Sequence, residues 1–330
     1  MTGNGVQNIQ SVLDSAGPQA GRIESLWWVF FWVCTAVFVL VLIALVMAVL
    51  RSRNTRNKDG PRLAPLLDPP REGERRMART VGGAAAVSLL LLIGLLVASV
   101  ATGRAVLTPP PPGALGIEVV GHQWWWEIKY EDPVPSRNFT TANEIHIPVG
   151  RPVRIKTSSA DVIHSFWVPN LHGKRDLIPG FTSETWLQAD RPGVFRGQCA
   201  EFCGYQHANM SLVVVAEPPA AFESWRAAQL QSPPPPATPL LRRGQEVFLA
   251  LPCPTCHTIA GTPAGGKTAP DLTHLASRRT LAAGTLPNNR GHLAGWILDP
   301  QTQKPGNKMP AVALGSDDLQ ALLGYLESLR

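Results

Sequence analysis

Two uninterrupted apolar stretches dominate the first third of the chain. Trp27–Leu50 runs for 24 residues and Val81–Thr102 for 22, neither with a charged side chain. At about 1.5 Å of rise per residue, each is long enough as a helix to cross a hydrocarbon core of about 30 Å. Buried helices of soluble domains rarely run so far without a charge. Trp27, Trp28 and Trp32 also crowd one end, where indole rings favour the membrane interface. The pattern predicts a transmembrane hairpin over 27–104, preceded by an outward-facing segment, 1–26. That segment has no apolar core of a signal peptide, so either the first span serves as its own export signal or a leader precedes it.

Beyond Pro109–Pro112 the period changes. From about Ala114 to Glu217, short runs rich in Val, Ile and aromatics (Ile117–Val120, Glu144–Ile147 and Val153–Thr157) alternate with Gly and Pro turns. Such spacing predicts the strands of a sandwich or barrel. A short polar helix near 220–230 closes this unit, assigned to 113–230. Four consecutive prolines, Pro233–Pro236, make 231–239 a semi-rigid spacer. Over 240–330, Leu241–Ala250 and Ser316–Leu329 carry apolar residues at helical spacing, with Gly- and Pro-rich loops between them. This predicts a small all-α unit.

The net charge of +6 changes the picture only through its location. Between Arg51 and Thr80 lie nine Lys and Arg against four acids, a local +5. An excess confined between two spans is a topology signal and excludes a nucleic-acid partner as its reason. It puts that loop in the cytoplasm of a bacterial inner or plasma membrane and both termini on the outer, periplasmic side. The 240–330 unit carries nine basic and six acidic residues, whereas Gly113–Ser224 carries nine and twelve. This contrast suggests electrostatic docking between the two.

The five cysteines are Cys34, Cys199, Cys203, Cys253 and Cys256. Cys34 lies in the first span and reads as a small packing residue. The segment Gln198–Ser211 gathers Cys199, Glu201, Cys203, His207 and Met210 within twelve positions. Thiolate, imidazole and thioether together select soft metals, copper above all. Zinc gives no reason for the methionine, and a single blue-copper site uses one cysteine. A disulfide would leave the histidine and methionine unexplained. A second imidazole must come from elsewhere: His164 is the candidate and His172 its competitor. Cys253-Pro254-Thr255-Cys256-His257 is a c-type haem attachment sequence, in which two thiols bond the haem and the adjacent His257 ligates iron. A sixth ligand is expected downstream, with Met309, His274 and His292 as candidates. Methionine would raise the haem potential. Nothing in the chain reads as a nucleophile triad, a phosphate loop or a paired-carboxylate site.

The 198–211 segment resembles the CuA loop of cytochrome c oxidase subunit II. The likeness extends through Gly121–Trp126, Asp161–Pro169, Lys174–Gly180 and Arg191–Gly204, and with the hairpin covers nearly all of the chain to Glu217. Gly306–Pro310 resembles the methionine loop of class I cytochromes c, which favours Met309, and makes Gly244–Phe248 part of the first helix of that domain. The resemblance is thus to subunit II with a fused cytochrome c domain, as in caa3-type haem-copper oxidases. It implies a multi-domain membrane protein: a two-helix transmembrane hairpin, a cupredoxin-like β-barrel and an all-α class I cytochrome c domain.

By that resemblance Cys199 and Cys203 bridge two copper ions. His164 and His207 are terminal ligands, Met210 a weak one, and the Glu201 carbonyl the last. The Glu201 carboxylate would reach a magnesium ion shared with subunit I. Trp124 would be the electron-input residue, with Trp125 and Trp126 structural, and Cys253 and Cys256 would hold haem c. The implied partners are subunit I, subunit III, an external cytochrome c or other one-electron donor, and the lipid bilayer. The implied role is electron delivery to subunit I for dioxygen reduction coupled to proton translocation. Alternatives are the copper subunit of a CuA-type nitric oxide reductase and a membrane-tethered copper-delivery protein. In mitochondrial-type relatives an acid near the second span helps admit protons. Here that stretch is the arginine-rich Glu74–Met77, where only Glu74 could serve.

Overall fold

The computed structural model describes residues 10–56 and 71–330. Part of the basic loop, including Lys58 and Arg62, lies outside the described residues. Helix α1 (Pro18–Arg56) and helix α2 (Arg71–Val106) contain the two apolar runs and are exposed nearly all round, as a lipid-facing pair is. Helix α1 starts nine residues before Trp27, because Pro18 is pre-organised for a first helical position. The extra turns carry Arg22, which donates to the Ala105 carbonyl near the end of α2 at 2.5 Å. Cys34 is exposed on α1 of the single chain, on the helix pair that faces lipid or a partner.

The second unit begins with two five-stranded sheets. In order along the chain the strands are β1 (Leu115–His122), β2 (Trp125–Glu131), β3 (Phe139–Ala142), β4 (Glu144–Pro148) and β5 (Val153–Ser159). They continue as β6 (His164–Trp167), β7 (Arg175–Leu177), β8 (Ser183–Leu187), β9 (Gly193–Cys199) and β10 (Ser211–Glu217). One sheet runs β3-β2-β1-β5-β8 and the other β4-β10-β9-β6-β7. Alternation builds the core: in β2, Trp126, Ile128 and Tyr130 are buried while their neighbours are half-exposed. Ile155 of the same sheet joins them, and Ile145, Ile147, Phe166, Leu212 and Val214 meet them from the other sheet. Strand β10 is buried along almost its whole length, matching its unbroken Leu212–Ala216 run. Helix α3 (Pro219–Gln229) follows and buries Phe222.

Residues 10–20 also lie against this β unit. The Ala16 N–H donates to the Asn170 carbonyl at 2.7 Å, the Asp190 N–H to the Ala16 carbonyl at 2.7 Å, and Ala16 and Ala20 are buried.

The helical part is built on α4 (Pro239–Ala250) and α8 (Ser316–Ser328). Thr238 caps α4 by accepting from the Leu241 N–H. The two helices touch at Gly244, where a Cβ would lie 2.0 Å from the Ala321 carbonyl oxygen, so any side chain there would part them. Val247, Phe248, Leu322, Leu323 and Leu326 fill their contact. Between them stand a single turn α5 (Cys253–Cys256), a nine-residue helix α6 (Arg290–Leu298) and the short α7 (Pro300–Gln303). Helix α6 falls where the pattern reads only as loop. It is held by an Asn289 cap and by burial of Leu293 and Ile297.

Candidate metal and haem centres

Strand pairing converges the sulfur and imidazole groups at one end of the second sheet. Phe166 of β6 pairs with Cys199 at the end of β9, and Gln198 pairs with Ser211 at the start of β10. His164, Cys199 and the 200–210 loop therefore meet. Cys199 Sγ lies 3.8 Å from Cys203 Sγ, 3.9 Å from His164 Nδ1 and 3.1 Å from the Glu201 carbonyl oxygen. Cys203 Sγ lies 3.6 Å from His207 Nδ1 and 3.8 Å from Met210 Sδ. Neither cysteine is in a disulfide, and both are buried. His164, Cys199 and Cys203 are a group whose donor atoms all lie within 4.8 Å of one another. His172 stands apart, with Nδ1 on the Gly173 carbonyl at 2.9 Å and Nε2 near Thr185 at 3.3 Å.

The electrostatics suit a cation. A hydrogen bond from the Cys203 thiol pulls Cys199 down to about 3, and the same hydrogen bond, with burial and the charge on Cys199 behind it, pushes Cys203 up. One negative charge and one proton are thus shared between two soft donors, and a metal would replace the proton. His164 Nε2 lies 2.9 Å from Asp161 Oδ1, the outer partner that aims Nδ1 at the sulfurs. Burial would raise the Asp161 carboxyl, but hydrogen bonds from His164 and from the Gln123 and Val162 N–H groups hold it below the usual carboxylate range. Gly121 leaves room for His164: a Cβ there would stand 2.7 Å from its ring. The Glu201 carboxylate points away, 44% exposed and 3.5 Å from Lys174.

The three consecutive tryptophans part company. The Trp124 indole N–H donates to the Cys203 carbonyl at 3.0 Å, beside the Gln123 amide, which donates to the same oxygen at 2.8 Å. Trp125 stacks on His122 at 4.3 Å, and Trp126 is fully buried in the β core.

A cavity of about 430 Å³ lies in the helical part, lined by Cys253, Cys256, His257 and Met309 and, from the β unit, by His122, Trp124 and Trp125. His257 Nδ1 donates to the Pro270 carbonyl at 2.7 Å, which fixes the tautomer that leaves Nε2 free, and burial lowers the ring's pKa. Of the three candidate sixth ligands, Met309 lines the cavity. His274 is buried against the Gln229 carbonyl and His292 sits in the α6 cap, both off the cavity wall. Arg278 also lines it, 9% exposed, with its Nε unpartnered and no ion pair among the described residues. A buried guanidinium on a cavity wall calls for an anionic group, which a haem propionate provides. The residues present therefore fit a covalently held haem.

Comparison with known proteins follows the same division. Residues 133–217 match the cytochrome c oxidase subunit II periplasmic domain, and residues 241–330 match cytochrome c. Cytochrome c oxidase subunit 2 of Alkalihalophilus pseudofirmus is 33% identical over 99% of this chain and 92% of its own length. The chain belongs to the cytochrome c oxidase subunit II family. Subunit 2 of a Bacillus species, strain PS3, is 33% identical over 65% of this chain and 62% of its own. The periplasmic domain of subunit II from Bradyrhizobium japonicum is 32% identical, covering 37% of this chain and 96% of its own, with a TM-score of 0.34. As a subunit II with a cytochrome c domain, the protein is a membrane-anchored part of an oxidoreductase complex, with copper and haem c as the cofactors its domains imply.

One further cluster in this subunit II escapes a motif search. Buried His146 lies between two carboxylates, with Nε2 2.9 Å from Glu144 and Nδ1 3.3 Å from Glu217, and its ring stacks on Trp225 at 4.1 Å. Burial opposes its charge, but Glu144 and Glu217 prevail and raise its pKa. A raised folded pKa contributes stability that is fully present below the unfolded value of about 6.5 and lost as pH rises through the folded value. Thermal denaturation of His146→Gln should therefore lose the part of the pH dependence that lies above about 6.5. Melting curves of parent and variant that stay parallel across that range would remove His146 from the account.

Proposed function

We propose that this subunit II carries single electrons from its haem-attachment domain to its sulfur–imidazole cluster and on to the haem-bearing subunit I. There dioxygen is reduced to water with coupled proton translocation. The observation that carries this reading is the position of Trp124, whose indole is bonded to the Cys203 carbonyl while its ring lines the haem cavity. One aromatic side chain spans the two candidate centres, so no electron need cross solvent between them.

In this reading Cys199, Cys203, His164 and His207 would hold a copper pair, the two thiolates supplying its soft donors. Met210 and the Glu201 carbonyl act as weak outer donors. When bound, the copper pair and the haem supply one-electron carriers, and sharing one unpaired electron between two metals limits reorganisation. The β scaffold limits it further, because His164 is clamped by Asp161 and the loop donors are buried. Cys253 and Cys256 would hold the haem, and His257 and Met309 would ligate its iron, the methionine favouring a high potential. The exposed Glu201 carboxylate is available to a magnesium ion whose remaining ligands come from subunit I. The basic segment between the spans is cytoplasmic, both large domains are periplasmic, and an external cytochrome c or comparable donor feeds the haem. Subunit III completes the assembly.

The test is to purify the chain with its polytopic partner and assay metals, haem and turnover together. Two coppers per covalent haem on this subunit, with dioxygen uptake from a reduced one-electron donor, are the expected result. A complex that reduces nitric oxide but not dioxygen would refute the oxidase assignment.

A further inference from the structure

Lys304 is 2% exposed, yet no carboxylate forms an ion pair with it among the described residues. Lysine is almost never so deeply buried without such a partner. Its ammonium has three protons, and each meets a backbone carbonyl: Trp124 at 2.9 Å, Asn209 at 2.7 Å and Ala282 at 2.9 Å. Burial pulls its pKa down to about 7, against which three carbonyl dipoles aimed at Nζ favour the charged form. An apolar side chain could fill the same space without that desolvation cost.

The three acceptors come from three places. Trp124 precedes β2, Asn209 lies between the candidate ligands His207 and Met210, and Ala282 belongs to the helical part. Lys304 itself opens the loop that ends at Met309. Its neighbours extend the same seam: the Gln206 amide donates to the Pro305 carbonyl at 2.7 Å, and the Ser211 N–H and hydroxyl donate to the Ala283 carbonyl at 3.0 and 2.9 Å. One ion pair crosses it among the described residues, Lys308 with Asp161 at 3.9 Å. The seam is thus made of buried hydrogen bonds, and the net-charge contrast between the domains contributes little to it.

We propose that Lys304 is a positioning residue for internal electron transfer, a three-way clamp that fixes the methionine loop, the copper loop and Trp124 in one register. The proposal rests on the electron-relay reading above. Tunnelling falls steeply with small increases in separation, so a clamp of this kind sets the rate without touching either cofactor.

The test uses the intact oxidase complex with Lys304→Met, which keeps the stem and removes the donors, and Lys304→Gln, which keeps a shorter donor. The haem is reduced by a light pulse, and first-order transfer to copper is followed optically at several salt concentrations. The parent should transfer rapidly and independently of salt. Lys304→Met should transfer at least tenfold more slowly and become salt-sensitive, because the Lys308–Asp161 ion pair then carries a larger share of the weakened seam. Lys304→Gln should fall between them. The haem methionine-ligation band and the copper spectrum should be unchanged in both. An unaltered rate in Lys304→Met would overturn the proposal. So would loss of haem or of methionine ligation in both variants, which would make Lys304 a folding residue. A parent enzyme that holds both cofactors but shows no transfer would instead refute the relay itself.

Discussion

Serine in place of Cys199 or Cys203 should strip the copper pair from the protein while leaving the haem attached. Each sulfur stands within 4 Å of the other and of an imidazole nitrogen, so on the proposed arrangement losing one would remove a donor on which both metal positions depend. A hydroxyl is a hard, weakly acidic donor and does not replace a thiolate for a soft metal. Losing a residue that orients a metal ligand, as Asp161 orients His164, typically costs about 10–100-fold in metal affinity, and losing a sulfur donor itself should exceed this. Metal analysis should show less than one copper per haem, with dioxygen uptake falling by roughly two orders of magnitude or more. The fold should survive, because the core of Trp126, Ile128, Phe166 and Leu212 does not depend on the metal. Full copper content in both serine variants would remove the two thiols from the site.

Met309→Ala should lower the haem potential by at least ~0.1 V, within the roughly 0.8 V range over which axial ligands tune haem iron. Attachment should persist, since Cys253, Cys256 and the Pro270-anchored His257 are untouched. A redox titration of the haem band checks the shift, and turnover should slow because a lowered potential leaves a donor less driving force into the haem. A potential unchanged from the parent would show that the sixth ligand lies elsewhere.

Much of this arrangement was legible in local pattern. The apolar runs from Trp27 and Val81 sit within α1 and α2, and the Val- and Ile-rich runs are strands. The 198–211 segment displayed four sulfur and nitrogen donors because they share one loop. Residue chemistry alone left His164 and His172 as rivals and only the resemblance favoured His164; in three dimensions β6 pairing with β9 carries His164 to the sulfurs. What stayed hidden depends on contacts distant in sequence. Helix α6 is too short and too rich in Gly to show a period, and its stability comes from a cap and two buried residues. Lys304 reads as an ordinary surface lysine until the Trp124 carbonyl, 180 positions away, is seen to accept from it. The charge contrast between domains was visible in composition, but a single ion pair spans their seam among the described residues. Net charge reports on solvent-facing groups and says little about a buried seam.

The measurement that bears most directly on the electron-relay account is electron paramagnetic resonance of the oxidised, haem-loaded protein. If Cys199 and Cys203 together hold a copper pair, the signal will show one unpaired electron coupled equally to two copper nuclei and will vanish in Cys203→Ser. Coupling to a single copper, or fully haem-loaded active protein with no copper signal at all, would contradict it.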